Sequence, residues 1–189
     1  MWAALEKTKS YTYADYARID DGNRYELIHG ELCVMEPGAS QYHQSTNGEL
    51  YRQFANFLLD KPCEVFHPPF DVCLNAKGDD DTIVVQPDIV VVCDTAILDG
   101  KRCNGAPDLV IEIVSPSSAR RDTLIKSNVY MKAGVREYWI VDPTDKLVRV
   151  CLLKAGKYDI TDYFDPPKLP VTVLEGCEID VKRVFAKSR

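Results

Sequence analysis

The sequence lacks several features that would assign a function at once. No apolar run approaches the roughly 20 residues that a membrane-spanning helix needs, and residues 1–10 are mixed and charged, without an apolar signal core. There is no glycine-rich phosphate loop and no GxSxG motif around a serine nucleophile. We therefore expect a cytoplasmic protein without a membrane partner, and neither a P-loop enzyme nor a serine hydrolase.

The cysteines also lack the pattern of a metal site. They are seven in number, an odd set without a CxxC pair, and their spacing is wider than in zinc-binding motifs. Most of them stand in apolar segments, where a thiol packs as a small core residue. We therefore expect seven reduced thiols that ligate no metal: Cys33, Cys63, Cys73, Cys93, Cys103, Cys151 and Cys177.

An excess of positive charge is missing as well. The formal net charge is -6, which is the wrong sign for a protein that coats nucleic acid. This charge does not exclude a nuclease, because carboxylates that bind cations lower the net charge by themselves. The length of 189 residues fits one domain.

The order of predicted elements indicates an α/β fold in which helices flank a mixed central sheet. Apolar residues at 50, 54, 57 and 58 share one face of a helix predicted at 41–60. Near-continuous Val and Ile runs at 82–93 and 107–115 are typical of strands covered on both faces. Further helices are predicted at 11–18 and 117–133, further strands at 25–28, 31–35, 64–74, 137–141 and 147–154, and an irregular edge with one more strand at 158–184.

Two carboxylates stand inside these apolar runs. Asp88 lies within residues 83–92, and Glu112 lies within residues 109–114. A buried unpaired charge is very costly, so each carboxylate needs a compensating partner. One divalent cation shared between the two would serve both. A salt bridge to an arginine, or a strand end that faces water, is the alternative.

Strand geometry favours Asp88 over Asp108 as the partner of Glu112. Asp108 and Glu112 lie four residues apart on one strand, which separates them by about 13 Å. Asp88, on a neighbouring strand, can meet Glu112 across the strand spacing of about 4.8 Å. We therefore expect a structural role for Asp108.

Several motifs occur in a fixed order around these acids. Pro87-Asp88 precedes Glu112-Ile113-Val114 on the next predicted strand. The other motifs are Tyr25-Glu26-Leu27-Ile28-His29-Gly30-Glu31-Leu32, Gln41-Tyr42-His43-Gln44, residues 107–116, Arg121-Asp122 with Lys126 and Tyr130, and Gly134-Val135-Arg136-Glu137-Tyr138-Trp139. This set resembles the PD-(D/E)XK restriction-endonuclease-like superfamily, in particular its branch of short bacterial putative restriction endonucleases. The resemblance covers about residues 20–155 and implies a single restriction-endonuclease-like domain over residues 1–189.

The resemblance also implies roles for individual residues. Asp88 and Glu112 match the metal-binding acids, and the carbonyl of Ile113 is a further ligand. Val114 stands where the superfamily pattern has its lysine. The branch in question supplies this lysine from the following helix, where Lys126 is the matching residue. A solvated pair of Lys126 with a helical neighbour is the alternative.

Three further kinds of contact are expected around this site. Glu31 is a candidate third acid, with Glu49 as a competitor for that role. His43 is a candidate phosphate contact near the start of its helix, where backbone N–H groups favour anions. Arg120 and Arg121 form the best local basic patch for a phosphate backbone. Exposed glutamates, a surface histidine and a solvated helix face are the respective alternatives.

The sequence thus predicts an endonuclease that depends on Mg²⁺ or Mn²⁺ and hydrolyses phosphodiester bonds of nucleic acid, with DNA as the expected substrate. Such folds often dimerise to cut both strands, and a homodimer is left open. The competing hypothesis is a catalytically inactive domain that keeps the fold to bind nucleic acid or a protein partner. Val114 and the net negative charge favour that hypothesis.

Overall fold

The computed structural model of the chain describes residues 10–35, 40–114 and 121–186. Within these ranges it contains four α-helices and thirteen β-strands, with two short 3-10 helices. The helices are α1 (Tyr13–Tyr16), α2 (Gln41–Leu58), α3 (Arg121–Ala133) and α4 (Val181–Val184). The strands are β1 (Tyr25–Ile28), β2 (Glu31–Val34), β3 (Glu64–Phe66), β4 (Asp71–Cys73), β5 (Val84–Val85), β6 (Ile89–Val92), β7 (Arg102–Asn104), β8 (Leu109–Ile113), β9 (Glu137–Asp142), β10 (Leu147–Lys154), β11 (Lys157–Phe164), β12 (Lys168–Pro170) and β13 (Glu178–Asp180).

The strands form three sheets among the described residues. A six-stranded sheet has the order β11-β10-β9-β8-β6-β3, and a five-stranded sheet has the order β2-β1-β5-β4-β7. In the larger sheet β8 and β9 are parallel, whereas β8 and β6 are antiparallel. The third sheet pairs β12 with β13. The fold is therefore a mixed α/β arrangement, as the sequence predicted.

Helices cover both faces of the six-stranded sheet. On one face Leu50 and Phe54 of α2 join a core cluster with Ile111 and Trp139. On the other face Tyr130 of α3 joins a second cluster that contains strand residues of β8 and β9. The alternation of side chains along each strand explains why Val and Ile occupy almost every position of β6 and β8. Asp88 and Glu112 lie at one end of this helix-covered sheet.

The α2 helix begins and ends close to the prediction. Ser40 precedes it in an extended conformation, and its side-chain oxygen accepts a hydrogen bond from the backbone N–H of His43. This cap satisfies one of the donors that every helix leaves unpaired at its start. Leu50, Phe54 and Leu58 form the buried stripe, so the helix has a fixed rotation about its axis. His43 is thereby held on the same face, at the end of the sheet.

Two predicted long strands are each divided between the two larger sheets. Residues 64–74 form β3 and β4, and Pro68 and Pro69 stand between them. Residues 82–93 form β5 and β6, with Pro87 between them. Proline has no N–H to donate to a ladder, so each segment leaves one sheet at its proline and enters the other. The prediction of single strands at these positions is wrong for this reason.

The last part of the chain contains more regular structure than the sequence predicted. Residues 157–164 form β11, which pairs along its full length with β10. The two-stranded β12–β13 sheet and α4 follow, and Leu169, Ile179 and Val184 join the core cluster under α2. The strand β7, paired in parallel with β4, was also missed. Short strands of three residues carry too little periodicity to be recognised in the sequence.

The prediction of seven reduced cysteines is wrong. Cys63 and Cys93 form a disulfide with a sequence separation of 30 residues. The two residues extend the β3–β6 pair, in which Glu64 lies opposite Val92, so the antiparallel register brings their side chains together. Cys73, Cys103, Cys151 and Cys177 are buried thiols, in agreement with the expected packing role.

None of the helices in the described ranges combines the length and the apolar composition that crossing a membrane requires.

Candidate active site

Asp88 and Glu112 come together at one end of the six-stranded sheet. In the β6–β8 pair Ile89 lies opposite Ile111, so the same register places Asp88 opposite Glu112. Opposite residues of an antiparallel pair share a face. The N–H of Ile113 donates a 2.8 Å hydrogen bond to Oδ2 of Asp88, which holds this carboxylate against the end of β8.

Lys126 of α3 lies directly over Glu112. Its Nζ donates hydrogen bonds of 3.0 Å to Oε1 of Glu112 and of 2.8 Å to Oε1 of Glu26. The helix packs on the same sheet face that carries Glu112, and Lys126 therefore reaches the carboxylate from the next element of the chain.

Glu26 is the third carboxylate of the cluster and was not predicted from the sequence. It lies in β1 and is only 6% exposed. Besides Lys126, the backbone N–H of Gln86 donates to its Oε1 at 3.0 Å. Glu31, the predicted third acid, is exposed at the start of β2. In the sequence, Glu26 is an ordinary polar residue of the Tyr25–Ile28 strand, so no local signal identifies it as a site residue.

Tyr130 completes the surroundings of Glu112. Its hydroxyl donates a 2.6 Å hydrogen bond to the same Oε1 that accepts from Lys126. The ring is fully buried. Burial raises the pKa of Tyr130 well above its ordinary value, and the negative charges of Glu112 and Glu26 raise it further. Tyr130 is therefore a permanent hydrogen-bond donor to Glu112 at neutral pH.

The pKa values of Glu112 and Lys126 reflect the balance between burial and charge. Burial raises the pKa of Glu112 to about 7; Lys126 opposes this shift, whereas Asp88 and Glu26 add to it. Burial by itself would lower the pKa of Lys126, but the carboxylates of Glu112 and Glu26 outweigh burial and raise it. Lys126 is consequently a cation throughout the physiological range.

His43 approaches Asp88 from the α2 side. Its Nε2 lies 3.2 Å from Oδ2 of Asp88, the oxygen that also accepts from Ile113. Burial lowers the pKa of His43, but the hydrogen bond and the charge of Asp88, together with the charge of Glu112, raise it overall. The predicted phosphate-binding histidine thus contacts a candidate metal ligand.

The face of α2 that carries His43 also contains buried polar atoms without hydrogen-bond partners among the described residues. His43 Nδ1, Thr46 Oγ1 and Asn47 Oδ1 are buried and have no hydrogen-bond partner within the described part of the chain. Thr46 is 1% exposed. Residues three and four apart on a helix are neighbours on one face, so these three atoms belong to one strip of α2. Buried polar atoms without partners are uncommon and call for an explanation.

The remaining predicted residues lie outside the cluster or outside the described ranges. Arg120 falls in the gap between residues 114 and 121, and the side chain of Arg121, at the start of α3, is likewise outside the described part. Asp108 accepts hydrogen bonds from the N–H of Cys93 and from Arg136, which is the structural role expected for it. Glu49 pairs with Arg52 on α2.

The cluster suits a divalent cation in charge and in ligand type. Glu26 and Glu112 contact the ammonium group of Lys126, and Asp88 lies on the neighbouring strand beside Glu112, so these four groups carry two negative charges in excess when all are ionised. Carboxylate oxygens are ligands that Mg²⁺ and Mn²⁺ accept. In this structure Lys126 and His43 occupy oxygens of the carboxylates. Within the described ranges, no group of three His, Cys, Asp or Glu side chains has the geometry of a metal site.

The architecture is that of a nuclease fold. The crystal structure of a putative nuclease belonging to DUF820 from Anabaena variabilis matches it with a TM-score of 0.74, at 19% sequence identity, over 93% of this chain and 97% of that chain. The chain belongs to the Uma2 family of putative restriction endonucleases, which it matches over residues 12–182. The resemblance inferred from the motifs is thereby confirmed. No curated protein matches the chain.

Proposed function

We propose that the protein is a metal-dependent endonuclease that hydrolyses phosphodiester bonds of DNA. The observation that carries the proposal is the buried cluster in which Lys126 lies between Glu26 and Glu112, beside Asp88. A surface salt bridge would not bury two carboxylates against one ammonium group beside a third carboxylate, because desolvation of each charge is costly. The description of the family as restriction endonucleases supports the same reaction.

Asp88 and Glu112, with the carbonyl oxygen of Ile113, are the residues that would hold Mg²⁺ or Mn²⁺. When bound, such an ion lowers the pKa of a coordinated water and neutralises charge on the phosphate. Tyr130 donates to one oxygen of Glu112, which leaves the other oxygen of this carboxylate for a ligand. The hydrogen bond from Ile113 similarly fixes one oxygen of Asp88. Both carboxylates are thus oriented by neighbouring groups, as metal ligands usually are.

Lys126 acts as a fixed positive charge in this proposal. The attraction of Glu112 and Glu26 outweighs the effect of burial and raises the pKa of Lys126. Lys126 is therefore already protonated near neutral pH and cannot accept a proton from water. It donates hydrogen bonds instead, either to the attacking water or to a non-bridging phosphate oxygen. Preorganised donors of this kind stabilise the charge that develops on the phosphate.

Contacts to the DNA backbone complete the proposal. Arg120 and Arg121 would bind backbone phosphates through charge-assisted hydrogen bonds. A local basic patch is needed because the chain as a whole has a net charge of -6. Two copies would cut both strands, so a homodimer stays a prediction of this proposal.

Nicking of supercoiled plasmid by purified protein tests the proposal. We expect relaxation of the plasmid with millimolar Mg²⁺ or Mn²⁺ and none with a chelator. Glu112→Gln should abolish nicking, because the neutral amide weakens the metal site. The matched control is Glu64→Gln, which changes an exposed glutamate in β3 of the same sheet and should leave the rate unchanged.

The same experiment separates the catalytic proposal from the inactive-domain hypothesis. Gel-shift binding of DNA that is not accompanied by nicking, with either metal, would favour a domain that only binds nucleic acid. Nicking that survives Glu112→Gln would show that the activity does not come from this cluster.

A further inference from the structure

His43 is held in contact with Asp88 by its position on α2. The Nε2–Oδ2 distance is 3.2 Å, and the two side chains are 17% and 15% exposed. The Ser40 cap fixes the start of the helix, and the buried stripe that begins at Leu50 fixes its rotation. The imidazole is therefore presented to the carboxylate by a rigid element and not by a loop.

The second ring nitrogen of His43 argues against a purely structural role for the contact with Asp88. Nδ1 is buried and lacks a hydrogen-bond partner within the described residues. An Asp–His pair that served stability alone would leave this nitrogen in water or bonded to a carbonyl, because an unpaired buried polar atom is costly. A phosphate contact is also disfavoured, since Nε2 already faces Asp88 and Nδ1 is buried.

One ring nitrogen of His43 faces a candidate metal ligand, which is the first requirement for a histidine that shares the same ion. Metal-bound histidines use one ring nitrogen for the ion and donate the other N–H to a nearby acceptor. Asn47 Oδ1 lies one turn further along the same helix face and is buried without a partner among the described residues, as is Thr46 Oγ1. Asn47 Oδ1 can serve as that acceptor after a side-chain rotation, and Thr46 keeps the surroundings polar enough for water.

We propose that His43 is a nitrogen ligand of the cation held by Asp88 and Glu112, and that it makes the site bind Mn²⁺ in preference to Mg²⁺. The inference rests on the proposed function, because it concerns the same cation. Imidazole nitrogen suits transition-metal ions, whereas Mg²⁺ prefers carboxylate, carbonyl and water oxygens. Oxygen ligands accept both ions, so the contribution of the imidazole is the part of the Mn²⁺ preference that is lost when His43 is replaced.

Calorimetric titration of the full chain with Mn²⁺ and with Mg²⁺ measures the preference. Wild type should bind Mn²⁺ more tightly than Mg²⁺. His43→Asn should weaken Mn²⁺ binding by at least about 10–100-fold, since loss of a group that only orients a metal ligand already costs that much, and should weaken Mg²⁺ binding far less. The matched control is His67→Asn, since His67 is exposed and lies against Pro68 and Tyr51, away from the carboxylate cluster; this variant should bind both ions as wild type does.

Pulsed electron paramagnetic resonance of bound Mn²⁺ tests the ligand itself. Wild type and His67→Asn should show nitrogen hyperfine coupling, and His43→Asn should not. If Mn²⁺ binds wild type without nitrogen coupling, or if the coupling survives in His43→Asn, this inference is overturned while the metal-dependent function stands. If wild type binds neither ion, the inference and the proposed metal site fail together. The wild-type spectrum decides the matter even if His43→Asn does not fold.

Discussion

Lys126 and Glu26 are 100 residues apart in the chain, yet Nζ of Lys126 donates a 2.8 Å hydrogen bond to Oε1 of Glu26. Glu26 belongs to the five-stranded sheet, and Lys126 belongs to the helix that covers the six-stranded sheet. The pair therefore links the five-stranded sheet to the helix that packs on the six-stranded sheet. It also keeps Lys126 charged, which restricts the chemistry that this lysine can perform.

We predict that Glu26, not Glu31, is the acid that supports activity. Glu26→Gln keeps an oxygen for the N–H of Gln86 but removes the charge that faces Lys126. Nicking should fall by at least about tenfold, because one misplaced or altered charge in a catalytic cluster costs about 1.4 kcal/mol or more. Glu31→Gln, in the other strand of the same hairpin, should leave nicking unchanged. Equal loss in both variants would refute the assignment.

Removal of the Lys126 charge should destabilise the metal-free protein. Lys126→Met leaves Glu26 and Glu112 buried without their shared cation, and loss of one partner of a buried ion pair costs about 3–5 kcal/mol. Urea unfolding in the presence of a chelator measures this loss. Lys132→Met, which changes an exposed lysine in the last turn of α3, should stay within about 0.5 kcal/mol of wild type. A metal-free Lys126→Met protein as stable as wild type would contradict the central position of this lysine.

Cation binding should be visible as a gain in thermal stability. A cation that binds only the folded state stabilises it by about 2.7 kcal/mol at a hundredfold excess over its dissociation constant. Melts of wild type with and without millimolar Mn²⁺ should show this shift. Asp88→Asn and Glu112→Gln should each abolish it. A shift of equal size in all three proteins would indicate that Mn²⁺ binds elsewhere.

Glu137 provides a pH test that is independent of the cluster. It is fully buried in β9, with one oxygen bonded to the indole N–H of Trp139 and the other to the N–H of Val173. Burial raises its pKa, although these hydrogen bonds oppose the shift. Because the folded pKa is raised, protonation favours the folded state. The stabilisation is complete below the ordinary pKa of about 4.3 and is lost as the pH rises through the folded value.

The variant Glu137→Gln does not titrate, so it isolates this effect. The difference in unfolding free energy between wild type and Glu137→Gln should be largest near pH 4 and should shrink as the pH rises. Wild type should be the more stable protein at the acid end, because the amide cannot accept both hydrogen bonds. Denaturant unfolding at several pH values measures the difference. A difference that grows with pH would mean that the carboxylate is stabilised in its charged form.

Local patterns predicted much of the fold. The α2 helix, the β1–β2 hairpin and the β9–β10 hairpin each depend on side-chain periodicity and on turn residues within one segment. Gly30, for example, adopts a φ of 82° in the hairpin turn, a conformation that glycine takes readily. The mixed α/β class followed from the order of these segments. Asp88 and Glu112 were recognised because each interrupts an apolar run.

Contacts between distant segments could not be predicted in the same way. The division of residues 64–74 and 82–93 between two sheets depends on which strands pair, and pairing is decided by tertiary packing. Glu26 looks like any polar residue of a short strand until α3 brings Lys126 onto it. The partner of Cys63 depends on the register of β3 with β6.

Glu112 and Glu137 illustrate what the sequence determines about a carboxylate and what only the tertiary structure decides. Both are carboxylates of apolar strands, but the sequence pointed only to Glu112 as a charge that needs a compensating partner and gave Glu137 no role. Fixed N–H groups of Trp139 and Val173 satisfy Glu137, which makes it a structural group. Glu112 instead faces Lys126, Tyr130 and a second carboxylate. Only the folded chain distinguishes the two, because the partners come from other elements and their charge decides whether a carboxylate can still bind a cation.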